Sequence, residues 1–165
     1  MQILTAPHPV LKEVATPIAD HEFQEVERLI PEMHGLMRRS RGIGLAAPQV
    51  GISKRFLIIE IEGETDGLLV MVNPVITLHG ATGKKEHEGC LSLPGGTAPV
   101  ERHEDIRVSY FDEYGKQRDL EAKGLLARCI QHEIDHLDGV LYIDRVNAYH
   151  RTRVMDKVRK ITGQK

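Results

Sequence analysis

The segment Gln131-His132-Glu133-Ile134-Asp135-His136 holds the residue types that metal-assisted hydrolysis needs. It reads H-E-x-x-H. On a helix, positions four apart stand on one face, one turn above the other. Two imidazoles at that spacing can grip one metal ion while Glu133 stands beside it as a general base. The preceding run from Gly124 to Ile130 is apolar at helical period, and Leu125, Cys129, His132 and His136 share one stripe. The plain alternative is a helix with two surface histidines.

Two histidines leave a hydrolytic site incomplete, because such sites use three protein ligands and keep one position open. Thermolysin-like proteases take a downstream glutamate, but no glutamate follows His136. Metzincins extend the motif to a third histidine. This chain follows that pattern through Gly139 and then has Tyr142 at the ligand position. Upstream, Glu88-Gly89-Cys90-Leu91-Ser92-Leu93-Pro94 offers a thiol. A thiolate suits a borderline-soft divalent ion, so a Cys-His-His site is chemically sensible. The alternative for Cys90 is a small buried hydrophobe. Cys129, one turn before His132, reads as a pocket wall. A third segment, Gly42 to Gly51, is rich in small residues that let a backbone approach a substrate closely. Its Gln49 offers an amide donor for a developing oxyanion.

The elements that must position these groups are partly legible. Phe23, Val26, Leu29, Ile30, Met33, Leu36 and Met37 recur at helical period, with Asp20 as a possible cap and Pro31 as a kink or break. Segments 55–61, 68–72 and 75–78 read as strands, the second ended by Asn73-Pro74. Segment 106–111 reads as another strand, turning through 112–115 into a partner over 117–121. The metal-motif helix should stop near Gly139. A last helix is expected from about Val146 to Ile161. Its Arg151, Arg153, Lys157, Arg159 and Lys160 face the single acid Asp156. That excess suits either a solvated surface or docking on an acidic partner such as RNA. Short neighbouring strands followed by a helix predict an α+β fold. Antiparallel sheets would pack around the helix carrying the motif, with a C-terminal helix after it.

At 165 residues the chain is expected to be one domain spanning 1–165. A net charge of −2 gives no global field for nucleic acid or membrane. The two cysteines, Cys90 and Cys129, do not form a secreted disulfide pattern. No run suits a signal peptide or a bilayer span, so a cytoplasmic protein with no membrane partner is expected.

The ordered triple G-I-G-L-A-A-P-Q, E-G-C-L-S-L-P and Q-H-E-I-D-H resembles the peptide deformylase family over nearly the whole chain. The resemblance implies removal of the formyl group from the N-terminal formylmethionine of nascent chains, with release of formate. It implies that Cys90, His132 and His136 hold one divalent ion per chain. That ion would be Fe²⁺ in the cell, replaceable by Zn²⁺, Ni²⁺ or Co²⁺. It implies Glu133 as general base, with the Gln49 side chain and the Leu91 backbone N–H polarising the formyl oxygen. Gly44 would bind substrate backbone, and Ile43, Leu125 and Cys129 are the candidates for an apolar methionine pocket. A monomer is expected, with the basic C-terminal helix docking on the ribosome as family members do. The chain departs from the family pattern at Lys84-Lys85-Glu86-His87, which is polar for a pocket rim. It departs again at Arg41, where many members carry an acid. Thr97 to Val100 lacks a basic residue that some members place near the peptide's path, although Arg102 remains. Two other functions fit the residues: a metallopeptidase using the same site, and a metal-stabilised binding protein without catalysis. Glu133 argues against the last, since a purely structural site needs no base.

Overall fold

A computed structural model describes residues 1–163. Five strands form an antiparallel sheet in the order β1-β2-β3-β6-β7. They are β1 (Gly44–Ala46), β2 (Phe56–Ile59), β3 (Leu69–His79), β6 (Asp105–Phe111) and β7 (Gln117–Lys123). A separate antiparallel pair joins β4 (Thr82–Gly89) to β5 (Thr97–His103). The helices are α1 (Phe23–Arg39), α2 (Gly124–Leu137) and α3 (Ala148–Thr162). This is the α+β arrangement expected, with antiparallel sheets around the helix that carries the histidines.

Strand β2 shows why the layers stack this way. All four of its residues are buried. Side chains alternate between faces along a strand. Phe56 and Ile58 accordingly pack with Val26, Ile30, Met33 and Met37 of α1. Leu57 and Ile59 pack with Ala127, Ile130 and Ile134 of α2. Each such side chain stabilises the fold by ~1.5–3 kcal/mol when fully buried. Helix α3 closes a smaller cluster, in which Val154 and Val158 meet Leu93, Ala98, Val100 and Tyr142.

Several boundaries differ from expectation. Pro31 neither breaks nor ends α1, which runs on to Arg39. Pro31 and Glu27, whose carbonyl loses its helix partner, both lie on the exposed side, where water can take the freed acceptor. Asp20 does not cap the helix; it opens a 3₁₀ turn whose Glu22 accepts the Ala19 N–H. The expected strands at 68–72 and 75–78 are one strand, β3. Asn73 takes a left-handed conformation (φ 50°) inside it, and the register with β6 shifts between Val72 and Val75. Asparagine tolerates that conformation, and the irregularity accommodates a proline without an N–H to give. Asn73 also bonds both backbone groups of Ile18. The small-residue segment at 42–51 contains β1 and a 3₁₀ turn. Helix α3 starts at Ala148, capped by Asn147, whose side chain accepts the His150 N–H. The stop near Gly139 holds, with α2 ending at Leu137 and Gly139 in the left-handed region.

Candidate active site

Helix α2 crosses the middle of the molecule, and every residue from Cys129 to Leu137 is buried. A helix buried on all sides must satisfy the polar groups it takes inside. How it does so defines the site.

His132 is fixed by Glu88, whose Oε2 lies 2.9 Å from the His132 Nδ1. The Nε2 is thereby left for other partners. One turn on, the His136 Nε2 lies 3.2 Å from the Cys90 Sγ. The turn after β4 delivers Cys90 to α2 from the other side. Ligand atoms of Cys90, His132 and His136 all fall within 4.8 Å of one another. Glu133 projects into the same space, and its Oε2 is buried with no partner among the described residues. A sulfur and two imidazoles around one point suit a borderline-soft divalent ion. Burial pushes the Glu133 carboxyl up to about 7. Burial and the neighbouring His132 hold the His136 imidazole neutral, well below its usual range. Burial opposes charge on His132 too, but Cys90 and Glu88 outweigh it and draw positive charge to that ring. A bound cation answers the same demand, so the residues present fit one.

The glycine-rich segment lies directly on this centre. A Cβ on Gly44 would come within 2.4 Å of the Glu133 Oε1 and 2.9 Å of the Cys129 Sγ. Only glycine permits that approach. Gln49 is turned inward: its Oε1 accepts the Ala46 N–H, and its Nε2 donates to the Ser92 Oγ at 3.2 Å and the Cys90 Sγ at 3.5 Å. Among the described residues, the Leu91 N–H has no backbone partner.

These groups open into a cavity of about 520 Å³. Gly44, Gln49, Cys90, Leu91, His132 and Glu133 line it, and so do Ile43, Leu125 and Cys129. His136 sits just behind, 1% exposed. The structure thus brings Ile43, Gly44, Gln49, Cys90, Leu91, Leu125, Cys129, His132, Glu133 and His136 into one region. Ile43 and Leu125 stand at the mouth, at 41% and 45% exposed, while Cys129 is buried and forms the wall.

A family profile described as polypeptide deformylase matches residues 1–152. The chain belongs to the peptide deformylase family. It is 42% identical to the peptide deformylase of Rhizobium meliloti (strain 1021), over 96% of this chain and 91% of that one. The crystal structure of a peptide deformylase from Legionella pneumophila superposes with a TM-score of 0.90. It is 38% identical and covers 99% of this chain and 98% of that one. The peptide deformylase of Synechococcus elongatus, solved with actinonin, has a TM-score of 0.88 and 43% identity, covering 95% and 86% of the two chains. The chain is a metal-dependent hydrolase that removes the N-formyl group from nascent polypeptides, and it uses a single metal ion.

Sequence reasoning missed the support on the far side of α2. Arg102, the basic residue that remains after Thr97–Val100, is buried and lies outside the lining of the cavity. Its side chain is 3% exposed and bonds both Glu88 oxygens at 2.9 Å and Asp135 at 2.6 Å. Asp135 also takes Arg145 at 2.5 Å. Burial works against a charged Glu88, but Arg102 and His132 outweigh it and hold the carboxyl far below its usual range. A histidine ligand held by a carboxylate is a common orienting device. Glu88 opens the E-G-C motif, and its place two residues before Cys90 was the available signal. Arg102 gave none, being an isolated cation in a polar strand.

Proposed function

We propose that Cys90, His132 and His136 hold the ion, Fe²⁺ in the cell, and that Zn²⁺, Ni²⁺ or Co²⁺ can replace it. The observation that carries this reading is the convergence of the three ligand atoms beside the unpartnered Glu133 oxygen. A divalent ion there acts as a Lewis acid and lowers the pKa of a water from ~15.7 towards ~7. Glu133 accepts the proton of the attacking water and later delivers it to the leaving amine. Burial favours that exchange, since a carboxyl poised near neutrality takes and gives a proton at little cost. The Gln49 Nε2 and the free Leu91 N–H meet the negative charge that grows on the formyl oxygen. Ile43, Leu125 and Cys129 receive the methionine side chain, and Gly44 offers its backbone to the peptide.

Loading with Co²⁺ tests the ligand set. One equivalent should bind with a thiolate-to-metal charge-transfer band that Cys90→Ser removes. A band that survives the substitution would exclude Cys90. Metal analysis of protein purified without oxygen tests the identity of the native ion.

The protein acts as a monomer in the cytoplasm, beside emerging chains. Among the described residues no helix is long and apolar enough to cross a membrane. Helix α3 docks on the ribosome. It holds to the body through Val154 and Val158 and leaves Arg153, Lys157 and Lys160 exposed. Reversing Arg153 and Lys157 to glutamate should weaken ribosome binding, and salt should weaken it steeply. Binding unchanged by both would contradict this role for α3.

A further inference from the structure

The cavity mouth carries a charge that the hydrolytic step does not use. Arg41 lines the cavity between α1 and β1, exposed and in a left-handed conformation (φ 58°). The other charged side chains of the lining are engaged. Arg128 binds Glu86 at 3.1 Å and Glu88 at 2.9 Å. Glu88 also binds Arg102, while Glu133 faces the ligands. On the neighbouring element, Glu60 is held by His34 and Arg38. On the other side of the mouth stands the uncharged Thr97. The guanidinium of Arg41 has no ion-pair partner among the described residues, and the exposed imidazole of His87 also stands in the lining.

Its place fixes what it would meet. Gly44 rests against Glu133, at the reacting end of the cavity. Arg41 is three residues away, so its Cα lies within ~11 Å of that of Gly44. An extended peptide covers the same distance in about three residues. A substrate whose formyl group is at Glu133 can therefore reach Arg41 with its second or third residue if its chain runs along the Gly42–Gly44 side of the cavity.

We propose that Arg41 is a specificity residue. It favours formyl-Met peptides with aspartate or glutamate at the second or third position over those with lysine or arginine there. This rests on the assignment of the cavity as the deformylation site. An exposed pair of opposite charges shifts affinity by up to about fivefold, and like charges shift it the other way. The expected discrimination is about three- to tenfold at low salt. It should shrink towards unity at 1 M salt, where the screening length is about 3 Å.

The test compares kcat/KM for formyl-Met-Glu-Ser and formyl-Met-Lys-Ser in metal-loaded parent, Arg41→Lys, Arg41→Gln and Arg41→Glu. The parent and Arg41→Lys should prefer the glutamate peptide, Arg41→Gln should lose the preference, and Arg41→Glu should invert it. A parent ratio near one, or the same ratio in Arg41→Gln, overturns the proposal. Calorimetric binding of the products Met-Glu-Ser and Met-Lys-Ser reads the same preference without turnover. Charge-selective binding without turnover would support the role of Arg41 while sinking the deformylation site. Turnover of both peptides alike would do the reverse.

Discussion

On the cavity side of α2, the buried Glu133 Oε2 has no partner among the described residues. On the opposite side, Asp135, two residues further along the helix, is held by both Arg102 and Arg145. Gln131 is as fully engaged: it exchanges bonds with both backbone groups of His103 and donates to the Ala127 carbonyl. A second cavity of about 490 Å³ lies on that side, lined by Gln131, Asp135, Arg102 and Arg145. Size does not separate the two spaces. What separates them is whether the polar atoms facing them are already satisfied. Native structures rarely leave a buried polar atom unpaired, and exceptions tend to be functional. The back of α2 is a closed network that fixes the helix; the front holds polar capacity for a ligand.

Substitutions on the two sides should therefore fail differently. Glu133→Gln keeps the shape and removes the proposed base. It should lower turnover by ~10²–10⁴-fold with metal retained and melting little changed. A large loss of stability would place Glu133 with the structural network instead. Arg102→Met should show the opposite pattern. It leaves Glu88 and Asp135 short of their buried cation, a change that typically costs ~3–5 kcal/mol. Through Glu88 and His132 it should also weaken metal binding ~10–100-fold. Denaturant unfolding and metal titration measure the two effects; a fully stable Arg102→Met would break the contrast. Gln49→Ala should cost ~10²–10³ in kcat, the usual loss for one oxyanion donor.

The smallest effect belongs to a carboxylate remote from both sides. Burial disfavours charge on Asp112, but the N–H groups of Lys116 and Tyr114 and the Arg118 guanidinium outweigh it and lower its pKa. A depressed folded-state pKa contributes stability above the unfolded value near 3.8. That stability is lost as pH falls through the lower folded value. Asp112→Asn should lose this acid-limb dependence, read as a flatter melting temperature below about pH 4. Its turnover should be unaffected.

What the sequence made legible follows the same division. The metal motif was visible because helical geometry alone puts His132 and His136 on one face. Its order with G-I-G-L-A-A-P-Q and E-G-C-L-S-L-P then pointed to Gln49, Cys90 and Leu91, which the fold places in the same cavity lining. The five-stranded sheet was visible where strands are apolar, as in β2. Strands β4 and β5 were not. In β4, Lys84, Lys85, Glu86 and His87 are all exposed, so no alternation marks a buried face; in β5 the buried face alternates through Ala98, Val100 and Arg102, and the cation breaks its apolar pattern. Asn73-Pro74 resembled a strand end because turn chemistry and an in-strand irregularity use the same residues. The Arg102 network was hidden for another reason. Arg102, Glu88 and Asp135 meet only through tertiary packing, and no spacing along the chain announces it.

The most direct test measures formate release from a formyl-Met tripeptide. The protein is purified without oxygen, its bound metal is counted in the same sample, and Glu133→Gln is run alongside. Turnover by the parent, lost in the variant at equal metal occupancy, is the predicted result. No turnover by a fully occupied parent, or equal turnover by Glu133→Gln, would contradict the account.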